Sequence, residues 1–189
     1  MADRASALLG HYHPGKSGAP GIQGVPGVFL QEIHDLVLHQ VSAWPDTVDE
    51  VGRTAVNAIG GKSVPGPCLA EEGPDAALLR IEPLKWWVVG AEAPGMVAEQ
   101  GTTLDLSHSR THIRITGEES VSLLNRHLPV DLRGKAFAVG SVASTVFHHV
   151  GVTVWHSSNG YELFLPRGFA LSLWELLVET AQQFGLEVV

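Results

Sequence analysis

A chain of 189 residues that is 44% hydrophobic can bury a substantial core, as one domain or as two tightly fused halves. Twenty acidic residues against 12 basic ones give a formal charge of −8, and no basic stripe offsets it, so nucleic acid and anionic membrane surfaces are excluded as partners. The single Cys68 cannot form an internal disulfide, no window approaches the roughly 18 apolar residues of a membrane span, and no signal-peptide run opens the chain; these features point to a cytoplasmic protein.

Residues 1–27 start with a short helix-like stretch and continue into HYHPGKSGAPGIQGVPG, whose Gly and Pro density predicts a flexible arm instead of a packed element. Ordering such an arm would depend on contacts with a neighbouring subunit. Gly10 to Ser17 satisfies the phosphate-loop pattern G-x-x-x-x-G-K-S/T, and a nucleotide-binding module is one reading of it. That loop requires a strand before it and a helix beginning at the Lys, because the helix N-terminus supplies the amides that hold phosphate. Gly18, Pro20, Gly21, Gly24 and Pro26 forbid the helix, so the match is read as chance.

Residues 28–189 read as a single α+β domain built from two halves, about 28–95 and 104–189, each a strand, helix, strand, strand unit. In the first half Val28 to Val41 is an extended strand region, and Asp46 caps an amphipathic helix carrying Val48, Val51, Ala55 and Ile59 that ends at Gly60-Gly61. Ala77 to Glu82 and Lys85 to Val89 are two strands joined across Pro83-Leu84. In the second half Ile113 and Ile115 alternate with His112 and Arg114 over the strand Thr111 to Thr116, the pattern of one buried face. Thr116 and Glu119 have capping-box spacing before a helix Glu118 to Leu128, whose stripe is Val121, Leu124 and Leu128 and which Pro129 closes. Strands follow within Val142 to Trp155 and over Tyr161 to Pro166. A last helix from Phe169 to Phe184 carries Leu173, Leu176, Leu177 and Thr180, and Leu186 to Val189 adds an edge strand.

Residues able to do chemistry are present without a convincing pattern. Among ten histidines, His11 with His13, His34 with His39, and the His148-His149 pair are the metal-ligand candidates. Adjacent strand residues point to opposite faces, so His148 and His149 do not reach one ion, and no Cys pair supplements them. Cys68 lies in a loop with no local base. Asp105, Ser107 and His108 hold the letters of a triad within four residues, whereas triad members ordinarily come from separate elements; local turn and capping bonds explain them better. The five tryptophans, Trp44, Trp86, Trp87, Trp155 and Trp174, favour an interface over a solitary monomer, with Trp86 and Trp87 facing opposite sides of a strand and one of them outward.

The segments Asp105-Leu106-Ser107-His108, Ile113-Arg114-Ile115-Thr116-Gly117, Leu123-Leu124-Asn125-Arg126 and Asp131-Leu132 resemble the tetrahydrofolate-binding domain of glycine-cleavage aminomethyltransferases. Trp86 to Gly90, Gly140 to Thr145, His148 to Thr153, Tyr161 to Arg167 and the Trp174-bearing helix look most like the gamma subunit of heterotetrameric sarcosine oxidase, over most of the chain after residue 28. The resemblance implies a noncatalytic small subunit of a complex that oxidises sarcosine to glycine, forming hydrogen peroxide and, with tetrahydrofolate, methylenetetrahydrofolate. It implies larger alpha and beta subunits and a small delta subunit as partners. FAD, FMN, NAD and tetrahydrofolate would then sit in the partners and none in this chain. A related complex acting on another N-methyl amino acid, such as N-methylglutamate dehydrogenase, or a free-standing tetrahydrofolate-dependent aminomethyltransferase, fits the same resemblance. Where that family presents an acidic residue to folate, this chain reads VASTVFHHVGVTVWHS from Val142 to Ser157, without Asp or Glu. The expectation is a folate-domain scaffold whose site is absent, with no catalytic, cofactor-binding or metal residue assigned.

Overall fold

The computed structural model describes residues 5–19 and 24–189. In chain order the elements are β1 (Gly15–Ser17), β2 (Val28–Ile33), β3 (Leu38–Ala43), α1 (Val48–Ala58), β4 (Ala70–Glu72), β5 (Ala77–Glu82), β6 (Lys85–Val89) and β7 (Gly101–Asp105). They continue with β8 (Arg110–Thr116), α2 (Ser120–Leu124), β9 (Val142–Phe147), β10 (Val150–Ser157), β11 (Gly160–Pro166), α3 (Ala170–Ala181) and β12 (Leu186–Val188).

These elements form two compact units. The first comprises Met1–His34, Ser109–Val139 and Ser144–Val189, and the second Asp35–His108 and Gly140–Ala143. The units therefore interleave along the chain, unlike the consecutive halves 28–95 and 104–189 drawn from the sequence. The cause lies in Val28 to Val41, which is not one strand. Asp35 takes a left-handed φ of 54°, β2 ends before it, and the two strands on either side enter different sheets.

In the second unit the sheet order is β4-β5-β6-β3-β7, with antiparallel neighbours throughout. Helical spacing puts Val51, Ala55, Val56 and Ile59 of α1 on one stripe. The stripe packs on Val41 and Ala43 of β3, Leu78 of β5, and Trp86 and Val88 of β6. Removing this apolar surface from water at roughly 25 cal/mol per Å² is what holds the helix to the sheet. Both faces of β6 are covered, since Trp86, Trp87, Val88 and Val89 are all buried, so neither tryptophan faces outward. Asp46 does not cap α1. It lies in a short 3-10 turn, Pro45–Thr47, where the Thr47 hydroxyl oxygen accepts the Trp44 amide at 3.1 Å.

The first unit holds a seven-stranded sheet in the order β1-β12-β2-β8-β11-β10-β9, with β12 parallel to β2. Leu30, Ile113, Ile115, Leu163 and Leu165 are fully buried. The helix α2 packs on β2 and α3, and α3 packs on β11. Only five residues of the predicted 118–128 helix are α-helical. Turns extend it to Leu128, whose amide still donates to the Leu124 carbonyl at 2.8 Å. Leu123, Leu124 and Leu128 are buried, while Val121 is only half-buried. The capping box is absent because the chain turns sharply at Gly117, φ 105°, where a Cβ would sit 2.3 Å from the Gly27 carbonyl oxygen. Thr116 stays in β8 and cannot reach the helix.

The described part of the N-terminal arm is packed, contrary to the expectation that its Gly and Pro content forbids a packed element. Leu8 is fully buried, Ser6 donates to the Glu32 carboxylate at 2.7 Å, and the Tyr12 ring stacks on Trp174 with centroids 5.4 Å apart. The Tyr12 hydroxyl donates to the Val189 carbonyl and accepts the Glu32 amide at 3.2 Å. Gly15–Ser17 then pairs antiparallel with Leu186–Val188. Two apolar or aromatic anchors, Leu8 and Tyr12, the Ser6 hydrogen bond and one short ladder do what a run of regular structure would otherwise do. Pro20 and Gly21 of the arm lie outside the described residues.

Candidate functional site

The polar feature with most chemical content is a buried network on the seven-stranded sheet. Two-residue periodicity puts His112 and Arg114 of β8 on one face. The ladder between β8 and β11 sets Glu162 opposite Arg114 and Phe164 opposite His112, and β10 sets Trp155 opposite Glu162. Glu162 is 1% exposed. Its Oε1 accepts from Arg114 Nε at 2.8 Å and from the Ser157 hydroxyl at 2.9 Å, and its Oε2 meets His112 Nε2 at 2.7 Å. Phe164 stacks on the His112 ring at 4.4 Å.

Burial alone would raise the Glu162 pKa. The hydrogen bonds and charges of His112 and Arg114 outweigh it and bring the pKa below the ordinary glutamate value. An ionised carboxylate is only an acceptor, so His112 Nε2 is the donor of this pair, and Nδ1 is the ring's other nitrogen. That Nδ1 is buried without a hydrogen-bond partner. The arrangement is a buried carboxylate-imidazole dyad. Two clefts of about 320 and 300 Å³ lie between the arm and α3, with His11, His13 and Trp174 in both, and none of the network's side chains lines either. These bonds tie β8, β10 and β11 together at their buried polar positions.

Sequence reasoning missed this network, having read His112 and Arg114 as the polar, outward face of a strand. The available signal was Glu162, a lone acid inside the apolar run Tyr161 to Leu165, which in a buried strand demands a cationic partner. It is also the carboxylate nearest in sequence to the acid-free Val142 to Ser157, and its oxygens are already engaged.

The other candidates separate in space. Gly15 to Ser17 is a strand and no helix begins at Lys16, which instead approaches Glu187 at 3.7 Å; the phosphate-loop geometry is absent. His148 and His149 form the two-residue turn between β9 and β10, with His148 at φ 53°, and are not on a strand as the sequence suggested. His34 lies 3.9 Å from Glu32 and His39 lies 3.6 Å from Glu92. Among the described residues no group of three His, Cys, Asp or Glu side chains could hold a metal ion. Cys68 is an exposed free thiol at φ 60°. The Ser107 hydroxyl and amide bond to Asp105, lowering its pKa, and Ser107 Oγ accepts the Leu38 amide at 3.0 Å, so these residues build a turn. Of the tryptophans only Trp44 is exposed, at 52%.

The α+β architecture has counterparts among solved structures. Glycine cleavage system aminomethyltransferase T from Bartonella henselae shares it with a TM-score of 0.59 and 17% identity, over 86% of this chain and 48% of that one. This chain thus shares its fold with an aminomethyltransferase. A chain of the heterotetrameric sarcosine oxidase from Corynebacterium sp. U-96, in complex with pyrrole 2-carboxylate, matches with a TM-score of 0.73 and 18% identity, over 89% and 88% of the two chains.

No protein-family model matches the sequence. Curated relatives narrow the likeness to sarcosine oxidase subunit gamma. That of Corynebacterium sp. strain P-1 is 27% identical over 128 residues, 67% of this chain and 63% of the relative. That of an Arthrobacter species is 29% identical over 97 residues, 51% and 47%. That of Corynebacterium sp. strain U-96 is 23% identical over 176 residues, 88% and 85%. The chain spans less than two thirds of the length of the first two.

Proposed function

We propose that this chain is the gamma subunit of a multi-subunit sarcosine oxidase and has no active site of its own. The observation that carries the proposal is agreement between three relatives bearing one subunit name and a fold match over nearly the whole of a chain from such an oxidase. The proposed complex would oxidise sarcosine by two electrons at its N-methyl group with dioxygen as acceptor, forming hydrogen peroxide, and flavin in the partner subunits would supply that redox chemistry. Water then releases glycine and the one-carbon unit, which tetrahydrofolate captures when present. FAD, FMN, NAD and the folate are held by alpha, beta and delta partners in the cytoplasm.

Two features of the chain support a noncatalytic role. The residues expected to face folate include no carboxylate, and the Glu162–His112 dyad is buried with its carboxylate oxygens already engaged. Within the complex, this subunit contributes packed surface and a rigid scaffold. The test is made on the isolated full chain with sarcosine, dioxygen and tetrahydrofolate. No peroxide and no folate binding are expected; either would contradict the noncatalytic reading.

A further inference from the structure

The two units differ sharply in charge. Eleven acidic and four basic residues fall in the second unit against nine and eight in the first, net −7 and −1. The acidic unit also carries an open sheet edge. Its five-stranded sheet ends on one side in β4, whose margin is occupied: Leu69 bridges to Ser141, the Ala70 amide donates to the Gly140 carbonyl at 2.7 Å, and the Val142 amide donates to the Cys68 carbonyl at 2.8 Å. On the other side it ends in β7, beyond which no strand pairs among the described residues.

The direction of the unpaired groups follows from the ladder. The Leu106 amide donates to Leu38 and the Trp44 amide to Gln100, so alternate residues 100, 102, 104 and 106 face β3. The amides and carbonyls of Thr103 and Asp105 therefore point outward. Thr102 to Asp105 are all exposed, and the edge has neither the Lys nor the Pro that usually blunts one. Apolar side chains flank it. Leu104 is 54% exposed, Val97 56% and Trp44 52%, and Trp44 Nε1 donates to the Ala98 carbonyl at 2.8 Å in the segment that leads into β7. Acids surround them: Asp105 on the edge, Glu99 beside it, Glu50 bonded to Gln100 at 2.5 Å, and Asp46 two residues from Trp44.

We infer that the outer edge of β7, with Trp44, Val97 and Leu104, receives an extended, positively charged segment of a partner polypeptide as an added strand. Backbone bonds to Thr103 and Asp105 would supply affinity, and the acidic surround would select a basic segment. A second copy of this chain is the poorer occupant, because edge-to-edge pairing would bring two −7 units together. The inference rests on the subunit reading for the source of the segment.

The test compares amide exchange in the complex isolated from the chain's own cells with that in the isolated full chain. Thr103 and Asp105 should be protected about tenfold or more in the complex. Thr103→Pro removes an outward donor without touching the β3 ladder, so it should keep the thermal midpoint while losing about tenfold of the co-isolated partner. An intact complex in which both amides exchange as freely as in the isolated chain overturns the docking edge and leaves the subunit reading standing. A chain that isolates alone overturns the subunit reading, and the edge is then judged with an eight-residue peptide of alternating valine and lysine. Protection of Thr103 and Asp105 by that peptide, and not by its valine-glutamate counterpart, upholds the edge. No protection, equal protection by both, or protection that grows with protein concentration alone overturns it.

Discussion

The two units use opposite strategies with charge. The first is nearly neutral and keeps one ion network inside, where Glu162, His112 and Arg114 satisfy one another. The second keeps an apolar centre of Trp86, Val88, Val41 and the α1 stripe and puts its excess of acid on the outside. A buried ion network specifies strand register, because a slip of one residue would turn its charges to the wrong face. A surface of like charge specifies nothing about the fold; it bears on what the unit meets. Substitutions in the two units should therefore fail in different ways.

The largest effect is expected in the second unit. Trp86→Ala removes a fully buried side chain from under α1 and should lower the unfolding free energy by about 4 kcal/mol, read by urea denaturation. A loss under about 1 kcal/mol would mean that the helix is held by something other than this core. Next comes Glu162→Ala, which strands His112 and Arg114 without their counter-ion and should cost about 3 kcal/mol. The Glu162→Gln variant, keeping the shape, separates lost charge from lost packing. Leu8→Ala should cost about 2 kcal/mol, even though Leu8 precedes every strand and helix. An unaffected midpoint would return the arm to the independent segment that its sequence suggests.

Acid should strike the first unit. Burial, and then the positive charges of His148 and Arg126, depress the His127 pKa from 6.5 to about 4. Between those values the unfolded chain binds the extra proton and the folded chain does not, so stability falls as the pH drops from 6.5 towards 4. Glu162, whose folded pKa lies below its unfolded value, contributes stability that is present above the unfolded pKa and lost as the pH falls through the folded one. His127→Gln should flatten the upper part of this slope and leave the lower part, as followed by thermal midpoints across the range.

Much of the fold was legible where one local period dominates. The core stripe of α1, the strands β5, β6, β8 and β11, the last helix and the terminal strand follow from spacing alone. What escaped depends on partners distant in sequence. β1, β4 and β7 are short, and each is a strand only because another segment presents an edge to it. The break at Asp35 inside Val28 to Val41 is invisible locally, since extended residues on either side of a kink look alike. The capping-box letters at Thr116 and Glu119 were present, but the turn at Gly117 took precedence over them. His112 and Arg114 read as solvent-facing because the counter-ion that allows their burial lies 48 to 50 residues further on. For function, the residues carried a resemblance and no local catalytic pattern, and the curated relatives bear the same subunit name.

The most direct test of the subunit account is native mass spectrometry, with an absorption spectrum, of a tagged full chain purified gently from its own cells. Co-isolation with larger chains and a yellow flavin spectrum is the predicted result. A colourless single chain that binds tetrahydrofolate would contradict it.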